Sequence, residues 1–166
     1  MRLGLLSDSH GKTDRLHRAI QLLKDRRIDT ILHCGDLGDL QDLEALAWAG
    51  LSVYVVLGNT DRHMQELIEA AVSLKVNLNP EVIELPLDDG RLLAGTHGDD
   101  DGVLRQLIVD GRYAYVCHGH SHRRRDERIG PTRVINPGAI TRANPPSLAL
   151  LDTATDELEF IELRAT

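Results

Sequence analysis

The first third of this chain alternates short apolar runs with segments of helical periodicity, and this order constrains the fold most strongly. The apolar runs at 3–6, 29–33 and 51–57 have the length of buried strands. Between them, residues 13–27 and 40–47 carry apolar side chains at helical spacing. Strands joined by helices form a parallel sheet with right-handed crossovers. The sequence therefore predicts an α/β arrangement for the first third.

After Pro80 the pattern becomes richer in strands. Segments 81–87 and 91–95 flank an Asp-Gly pair, which predicts a hairpin. An α/β start followed by a meandering β end predicts two facing sheets with helices outside them, in a single domain spanning residues 1–166. Further helices are predicted at 64–71 and 101–110, and further strands at 113–117, 133–135, 148–151 and 158–163.

Composition narrows the class of protein. The chain has 166 residues, 42% hydrophobic and 27% charged, which is ordinary for a globular domain with a substantial core. A net charge of −7 and only 3% aromatic residues argue against nucleic acid as a partner. No apolar run reaches membrane-spanning or signal-peptide length, so we expect no membrane partner. Cys34 and Cys117 lie in apolar runs, which favours buried thiols and a cytoplasmic location and leaves homo-oligomerisation open.

Residues of metal-ligand type follow the apolar runs at five places. Carboxylates, imidazoles and one amide oxygen make up the set, a mixture that suits Mn, Fe, Mg, Zn or Ni ions. Binding residues of parallel sheets collect just beyond the carboxyl ends of strands, so we expect these side chains to meet. Such a set is large enough for two metals that share a carboxylate, a layout that cleaves phosphate esters. The seven residues are Asp8, His10, Asp36, Asn59, His97, His120 and His122.

Two pairs in this set have a spacing of two residues. Asp8 and His10 form one pair, and His120 and His122 form the other. In an extended backbone, residues two apart point to the same side, so each pair is predicted to act as a two-pronged clip for an ion.

These motifs together resemble the calcineurin-like metallophosphoesterase superfamily. The resemblance spans residues 8 to 122, and the compact length with Asn136-Pro137-Gly138 is similar to the small bacterial and archaeal phosphodiesterase branch. The motifs, in order, are Asp8-Ser9-His10, Gly35-Asp36, Gly58-Asn59-Thr60-Asp61, the lone His97, and Gly119-His120-Ser121-His122.

The resemblance implies a four-layer α/β/β/α sandwich with two mixed sheets and two divalent ions. Manganese is favoured, with nickel, iron, zinc and magnesium as alternatives. The implied activity is hydrolysis of a small phosphate ester, with a phosphodiester favoured over a monoester, by a hydroxide that bridges the metals. Asp36 is the implied bridge, and Asp36, Asn59 and His120 are the implied catalytic residues. One metal takes Asp8, His10, Asp36 and His122, and the other takes Asp36, Asn59, His97 and His120.

Thr60 departs from the pattern of the superfamily, which often has a histidine here to assist the leaving group. A threonine hydroxyl does not supply a proton at neutral pH. We therefore expect esters with good leaving groups to react readily and those with alkoxide leaving groups slowly. His63 is a weaker substitute, because a helix surface is its expected place.

Other residues near the motifs have two interpretations each. Asp61 either orients a metal ligand or caps a helix. Asn136 is by default a turn residue, and only the resemblance places it near the site. The run that begins at Arg123 favours a solvated loop, while one of its arginines, or Arg142 less strongly, could bind a substrate phosphate.

Three other classes of function fit the sequence less well. A cysteine phosphatase is excluded, because the arginine that its loop needs after His33-Cys34 is replaced by Leu40. A nuclease is disfavoured by the acidic balance and the scarcity of aromatic residues. The remaining alternative is a metal-binding protein-interaction scaffold of the same fold with little or no catalysis.

Overall fold

The computed structural model describes residues 1–163 as eleven strands and four helices. The predicted elements are present, with ends that differ by a few residues. In chain order they are β1 (Arg2–Leu6), α1 (Thr13–Asp25), β2 (Thr30–Cys34), α2 (Leu40–Ala47), β3 (Ser52–Val56), α3 (Met64–Leu74), β4 (Asn77–Asn79), β5 (Val82–Pro86), β6 (Leu92–Thr96), α4 (Asp101–Val109), β7 (Tyr113–Cys117), β8 (Arg124–Ile129), β9 (Thr132–Pro137), β10 (Ser147–Asp152) and β11 (Glu157–Glu162).

The first sheet has the order β11-β10-β1-β2-β3-β4. Strands β1, β2 and β3 are parallel to one another, as the helix-linked pattern predicts, and β4 pairs with β3 in the same direction. Strands β10 and β11 extend the sheet on the other side of β1 by antiparallel pairing. The apolar faces of α1, α2 and α3 cover its outer surface, where Leu16 and Leu23 of α1 pack with Ile31 and Val53 of the sheet. This packing fixes the carboxyl ends of β1, β2 and β3 side by side.

The second sheet has the order β5-β6-β7-β9-β8. Strands β5 and β6 form the predicted antiparallel hairpin, while β6, β7 and β9 are parallel to one another. Helix α4 covers the outer face, where its Leu107 and Ile108 pack against Val116 and Val134. The carboxyl ends of β6 and β7 therefore lie next to each other.

The two sheets face each other across a buried apolar core. Leu3 and Leu5 of β1 and Leu32 of β2 point into this core, whereas Leu6 and Ile31 point toward the helices. This alternation with a period of two explains why the strands are apolar on both faces. The predicted four-layer α/β/β/α sandwich, with two mixed sheets flanked by helices, is confirmed.

Two strands were not predicted. Strand β4 has only three residues, and β8 is the highly charged edge sequence Arg-Arg-Asp-Glu-Arg-Ile. The prediction of a solvated loop is therefore wrong for Arg124 and Arg125, which lie in β8. Charged side chains are common on edge strands because they discourage pairing with other chains. None of the helices described between residues 1 and 163 is long and apolar enough to cross a membrane.

Candidate metal centre

The seven predicted ligands lie at the carboxyl ends of five parallel strands, where the edges of the two sheets meet. The approach of His122 Nε2 to Asp8 Oδ1, at 3.1 Å, joins a loop of the second sheet to a loop of the first. The first sheet supplies Asp8 and His10 after β1, Asp36 after β2 and Asn59 after β3, and the second supplies His97 after β6 and His120 and His122 after β7.

Most of these residues have a left-handed backbone. Asp8, His10, Asp36, His120 and His122 have φ values of 58°, 49°, 53°, 62° and 56°. The expectation that each two-residue pair lies in extended backbone is therefore wrong. Such conformations cost of order 1–3 kcal/mol each and persist only where the surrounding structure holds them.

Backbone hydrogen bonds between the loops hold these conformations. The Asp8 N–H donates to the Gly35 carbonyl and the His10 N–H to the Asp36 carbonyl, both at 3.0 Å. In the second sheet, the Gly119 N–H donates to the His97 carbonyl at 2.9 Å. The ligand loops are thus fastened to one another as well as to their strands.

One cluster consists of Asp8, His10 and His122. His122 Nε2 lies 3.1 Å and His10 Nε2 lies 3.9 Å from Asp8 Oδ1, and the two imidazole rings stand edge to face with centroids 5.6 Å apart. Three different side chains therefore direct potential ligand atoms at one point.

A second cluster consists of Asp8, Asp36 and His97. His97 Nε2 lies 3.4 Å from Asp36 Oδ1 and 3.1 Å from Asn59 Oδ1, so Asn59 adjoins this cluster. His120 is exposed and its ring stands edge to face with that of His97, with centroids 5.1 Å apart. The structure brings His120 beside the cluster but not into it.

Asp36, a member of the second cluster, also faces the first. Its Oδ2 is 3.7 Å from His10 Nε2, and its Oδ1 is 3.4 Å from His97 Nε2. One carboxylate oxygen thus faces a histidine of each cluster, which is the orientation that a bridging ligand needs. Asp8 is the residue that belongs to both clusters.

The donor atoms fit divalent cations. Within residues 1–163, Asp8 Oδ1 and His10 Nε2 are buried without a hydrogen-bond partner, which is costly unless an ion takes them up. The Nδ1 atoms of His97 and His122 lie 2.9 Å and 3.2 Å from the carbonyls of Cys34 and Arg142. When Nδ1 donates to a carbonyl, Nε2 presents its lone pair, as in histidine ligands of metals generally.

Burial and mutual contact shift the pKa values of these groups. Burial raises the pKa of Asp8. Burial also raises the pKa of Asp36, but hydrogen bonds from His97 and Thr60 outweigh it and hold that pKa well below its usual range. Burial lowers the pKa of His97, but contacts with Asp36 and the Cys34 carbonyl outweigh it and raise that pKa to about 9. A cation bound here would displace this proton.

Asp61 joins two of the ligand loops. It is buried, and its Oδ1 and Oδ2 accept hydrogen bonds from the Gly38 and Gly58 N–H groups at 2.8 Å and 2.7 Å. These glycines lie beside Asp36 and Asn59, and helix α3 begins later, after His63. These hydrogen bonds fix the backbone of two ligand loops and do not lie at the start of α3, and a role of Asp61 in orienting the ligands stays a prediction.

Asn136 has a similar place in the second sheet. It is fully buried, and its Nδ2 donates to the Gly119 carbonyl at 2.7 Å and to Ser121 Oγ at 3.1 Å. It also closes the predicted turn, since its Oδ1 accepts the Gly138 N–H at 2.9 Å. One side chain therefore serves the turn and supports the loop that carries His120.

Thr60 contacts ligands on both sides. Its N–H donates to Asp36 Oδ1 at 2.9 Å, and its hydroxyl lies 3.5 Å from His10 Nδ1. The threonine therefore contacts two of the predicted ligands, and neither contact requires an acid. His63 is exposed at the start of α3, with its Nδ1 3.9 Å from Glu66, in agreement with its predicted place on a helix surface.

Sequence reasoning missed two supporting residues. Ser7 Oγ is buried 2.6 Å from Asp8 Oδ2, and the Thr141 hydroxyl donates to the Asp8 carbonyl at 3.0 Å. Ser7 could have been predicted, because it adjoins Asp8 in the sequence. Nothing in the sequence around Thr141 indicates its contact with Asp8. Gly119 is packed so closely here that an added Cβ would overlap the Ser7 hydroxyl and lie 2.9 Å from Asp8 Oδ2.

With this geometry established, the comparison with known proteins is decisive. Residues 1–156 match the sequence profile of the calcineurin-like phosphoesterase superfamily domain. The chain belongs to this superfamily. It is also 30% identical over 166 residues to Phosphodiesterase MJ0936 of Methanocaldococcus jannaschii, covering 98% of this chain and 99% of that one. The resemblance predicted from the motifs is confirmed.

Other known proteins are similar to the chain in sequence or in fold. The chain is 29% identical over 150 residues to the probable metallophosphoesterase YsnB of Bacillus subtilis, covering 84% of this chain and 75% of the relative. A solved archaeal phosphodiesterase superposes with a TM-score of 0.90 at 30% identity, covering 98% and 100% of the two chains. Vps29 of Entamoeba histolytica shares the fold at a TM-score of 0.68 and 18% identity, with 99% and 100% covered.

Proposed function

We propose that this calcineurin-like phosphoesterase is a phosphodiesterase that depends on two divalent cations. The observation that carries the proposal is the pair of clusters around Asp8 and Asp36, in which the buried ligand atoms Asp8 Oδ1 and His10 Nε2 have no hydrogen-bond partner among the described residues. Asp8, His10, Asp36 and His122 would hold one ion, and Asp36, Asn59, His97 and His120 the other. The bound ions, manganese by preference, would supply a bridging hydroxide as nucleophile and neutralise charge on the phosphate.

The protein groups around this centre determine how it is used. Asp8 and Asp36 are buried and negatively charged when ionised, so without cations they would repel an anionic phosphate. Ser7, Thr60 and Asp61 hold the ligands in place and so reduce the reorganisation needed during the reaction.

A cleft beside Asn59 and His97 has room for one arm of a small ester. Its volume is about 240 Å³. Three carboxylates also line it, and they would repel the further phosphates of a polynucleotide. We therefore propose a small diester as the substrate and not a nucleic acid. The lining comprises Leu57, Gly58, Asn59, Met64, Pro80, Glu81, Thr96, His97, Asp99, Asp100 and Val103.

The location that we propose is the cytoplasm. Cys34 and Cys117 are both buried as free thiols. Buried unpaired thiols support a reducing compartment.

The decisive experiment combines chelation with substitution of the proposed bridge. Protein treated with EDTA should not cleave bis(p-nitrophenyl) phosphate in metal-free buffer, and added Mn²⁺ should restore activity at about two ions per chain. Asp36→Asn should lower kcat by roughly 10²-fold or more, in line with the loss of a ligand or of an electrostatic contact to the reacting groups. Asp14→Asn, at an exposed position in α1, should change nothing.

Two results would reject the proposal. Full turnover after rigorous chelation would exclude dependence on metals. Stoichiometric Mn²⁺ binding without hydrolysis of any diester would favour the alternative, a protein-interaction scaffold with the same fold.

A further inference from the structure

The segment that follows β9 is attached to the ligand loop of the first sheet. The Ile140 N–H donates to the Ser7 carbonyl at 3.0 Å, and both the N–H and the hydroxyl of Thr141 donate to the Asp8 carbonyl, at 3.2 Å and 3.0 Å. The backbone on the amino side of Arg142 is therefore fixed with respect to Asp8.

Arg142 is also attached to the ligand loop of the second sheet. Its carbonyl lies 3.2 Å from His122 Nδ1. Its φ is 56°, a left-handed conformation that is uncommon for an arginine. Strained backbone of this kind is concentrated at functional sites. The backbone of Arg142 therefore lies between the loops of Asp8 and His122.

The guanidinium of Arg142 is exposed and has no hydrogen-bond or ion-pair partner within residues 1–163. The residue nevertheless lies next to the metal centre, because Thr141 is bonded to the Asp8 carbonyl and the Arg142 carbonyl approaches His122. An arginine that forms no ion pair with the nearby carboxylates keeps all its donors for a ligand. A planar guanidinium suits two oxygens of one phosphate.

Neighbouring arginines are engaged elsewhere. Arg124 Nη2 lies 3.2 Å from Glu162 Oε1, and Arg125 Nη2 lies 2.7 Å from Glu127 Oε2. Arg123 is exposed without an ion-pair partner in the described part of the chain, and its N–H donates to Ser121 Oγ at 3.4 Å. Of these arginines, Arg142 has the backbone fixed to both ligand loops.

We propose that Arg142 binds the non-bridging oxygens of the substrate's phosphoryl group, at the side of the metal centre formed by His10 and His122. This assignment rests on the proposed phosphoesterase function and adds the residue that holds the anion. Arg142 does not hold the metals, so its removal should weaken phosphate binding and leave the bound ions in place.

The test uses variants that separate charge from backbone conformation. Arg142→Asn removes the guanidinium but keeps a residue that tolerates a left-handed backbone, and Arg142→Lys keeps the charge without the fork. The matched control is Arg27→Asn, because Arg27 is also exposed, has a φ of 55°, and lies before β2 at the opposite end of the sheet. A fourth variant, Arg123→Asn, tests the competing arginine.

Each variant is loaded with Mn²⁺, its metal content is measured, and KM, kcat and inhibition by inorganic phosphate are determined. Arg142→Asn should raise KM for bis(p-nitrophenyl) phosphate and the inhibition constant of phosphate about tenfold each, the effect of losing one charge-assisted contact. Arg142→Lys should lie in between, and Arg27→Asn should match the parent protein.

Three results would each overturn the assignment. The first is unchanged inhibition by phosphate in Arg142→Asn, the second is a tenfold loss of phosphate inhibition in Arg123→Asn with none in Arg142→Asn, and the third is loss of bound metal from Arg142→Asn. If the parent protein cleaves no diester, the proposed function fails, but calorimetric titration of the Mn²⁺-loaded variants with phosphate still decides the role of Arg142. Equal phosphate affinity in the parent and Arg142→Asn would then reject it.

Discussion

Replacing Asp61 with asparagine tests whether the carboxylate beneath the centre holds the ligand loops together. Both oxygens of Asp61 accept backbone N–H groups, from the half-buried Gly38 at 2.8 Å and the buried Gly58 at 2.7 Å. Asparagine has nearly the same shape but only one acceptor oxygen. Its amide nitrogen would face one of these N–H groups, so one hydrogen bond becomes a contact between two donors.

The cost can be worked out from these two contacts. A buried N–H left without an acceptor costs about 1–3 kcal/mol, and the remaining bond loses about 1 kcal/mol when its acceptor is no longer charged. The sum is about 2–4 kcal/mol of unfolding free energy, or a fall in Tm of roughly 4–16 °C for a domain of this size. Metal affinity should also fall by about 10–100-fold, because Gly38 and Gly58 lie beside the loops of Asp36 and Asn59.

The assay is urea unfolding of EDTA-treated protein, followed by Mn²⁺ titration of the folded variants. The control is Asp100→Asn, because Asp100 also accepts two backbone N–H groups but through a single oxygen, at the start of α4. Asparagine is as good a cap as aspartate, so this variant should change stability by less than about 0.5 kcal/mol. Equal stability losses in the two variants, or unchanged metal affinity in Asp61→Asn, would refute the reasoning.

Three further outcomes are expected. Gly119→Ala should lower the unfolding free energy by about 1–3 kcal/mol and weaken Mn²⁺ binding, because the new Cβ would overlap the Ser7 hydroxyl; a change below about 0.5 kcal/mol in denaturant titrations would contradict this. The pKa of His97 is about 9 in the folded protein and 6.5 in the unfolded chain, so protonated His97 stabilises the metal-free fold fully below about pH 6.5. This stabilisation is lost as the pH rises through the folded-state pKa. Urea titrations of EDTA-treated protein should therefore show a loss of roughly 2 kcal/mol between about pH 7 and pH 8.5, with a smaller slope in His97→Gln; equal slopes would be inconsistent with it. Because Thr60 is not an acid at neutral pH, kcat for a series of phosphodiesters should fall steeply as the leaving-group pKa rises, and a flat series would argue for an unrecognised proton donor.

The residues that meet at the candidate metal centre share two independent signals in the sequence. Asp8, Asp36 and Asn59 have the right chemistry and also follow apolar runs, and parallel strands bring such positions to one edge. The wrong detail was the extended geometry of the Asp8–His10 pair. The left-handed backbone of these residues depends on hydrogen bonds between loops, such as the one from His10 to Asp36. Such bonds join residues that are distant in sequence, so the local sequence does not predict them.

The supporting contacts were harder to predict because their partners are distant in sequence. Thr141 donates to a carbonyl 133 residues away, and nothing in its surroundings distinguishes it from other threonines. Asn136 belongs to a turn motif that is sufficient to explain it, so its bond to the Gly119 carbonyl adds a role that the motif does not require. Strand β8 was missed because its stability comes from edge pairing with β9, without an apolar face.

The two sheets contribute ligands to the centre from opposite sides of the core. Any ion bound between Asp8 and His122 therefore acts as a clasp that draws the sandwich together at one end. The far end is closed differently, by the Tyr115 hydroxyl and the Arg133 guanidinium, each 2.9 Å from Asp156. Withdrawal of metal would remove one tie at the first end, where the hydrogen bonds from Ile140 and Thr141 to the loop of Asp8 remain, and would leave the second end unchanged.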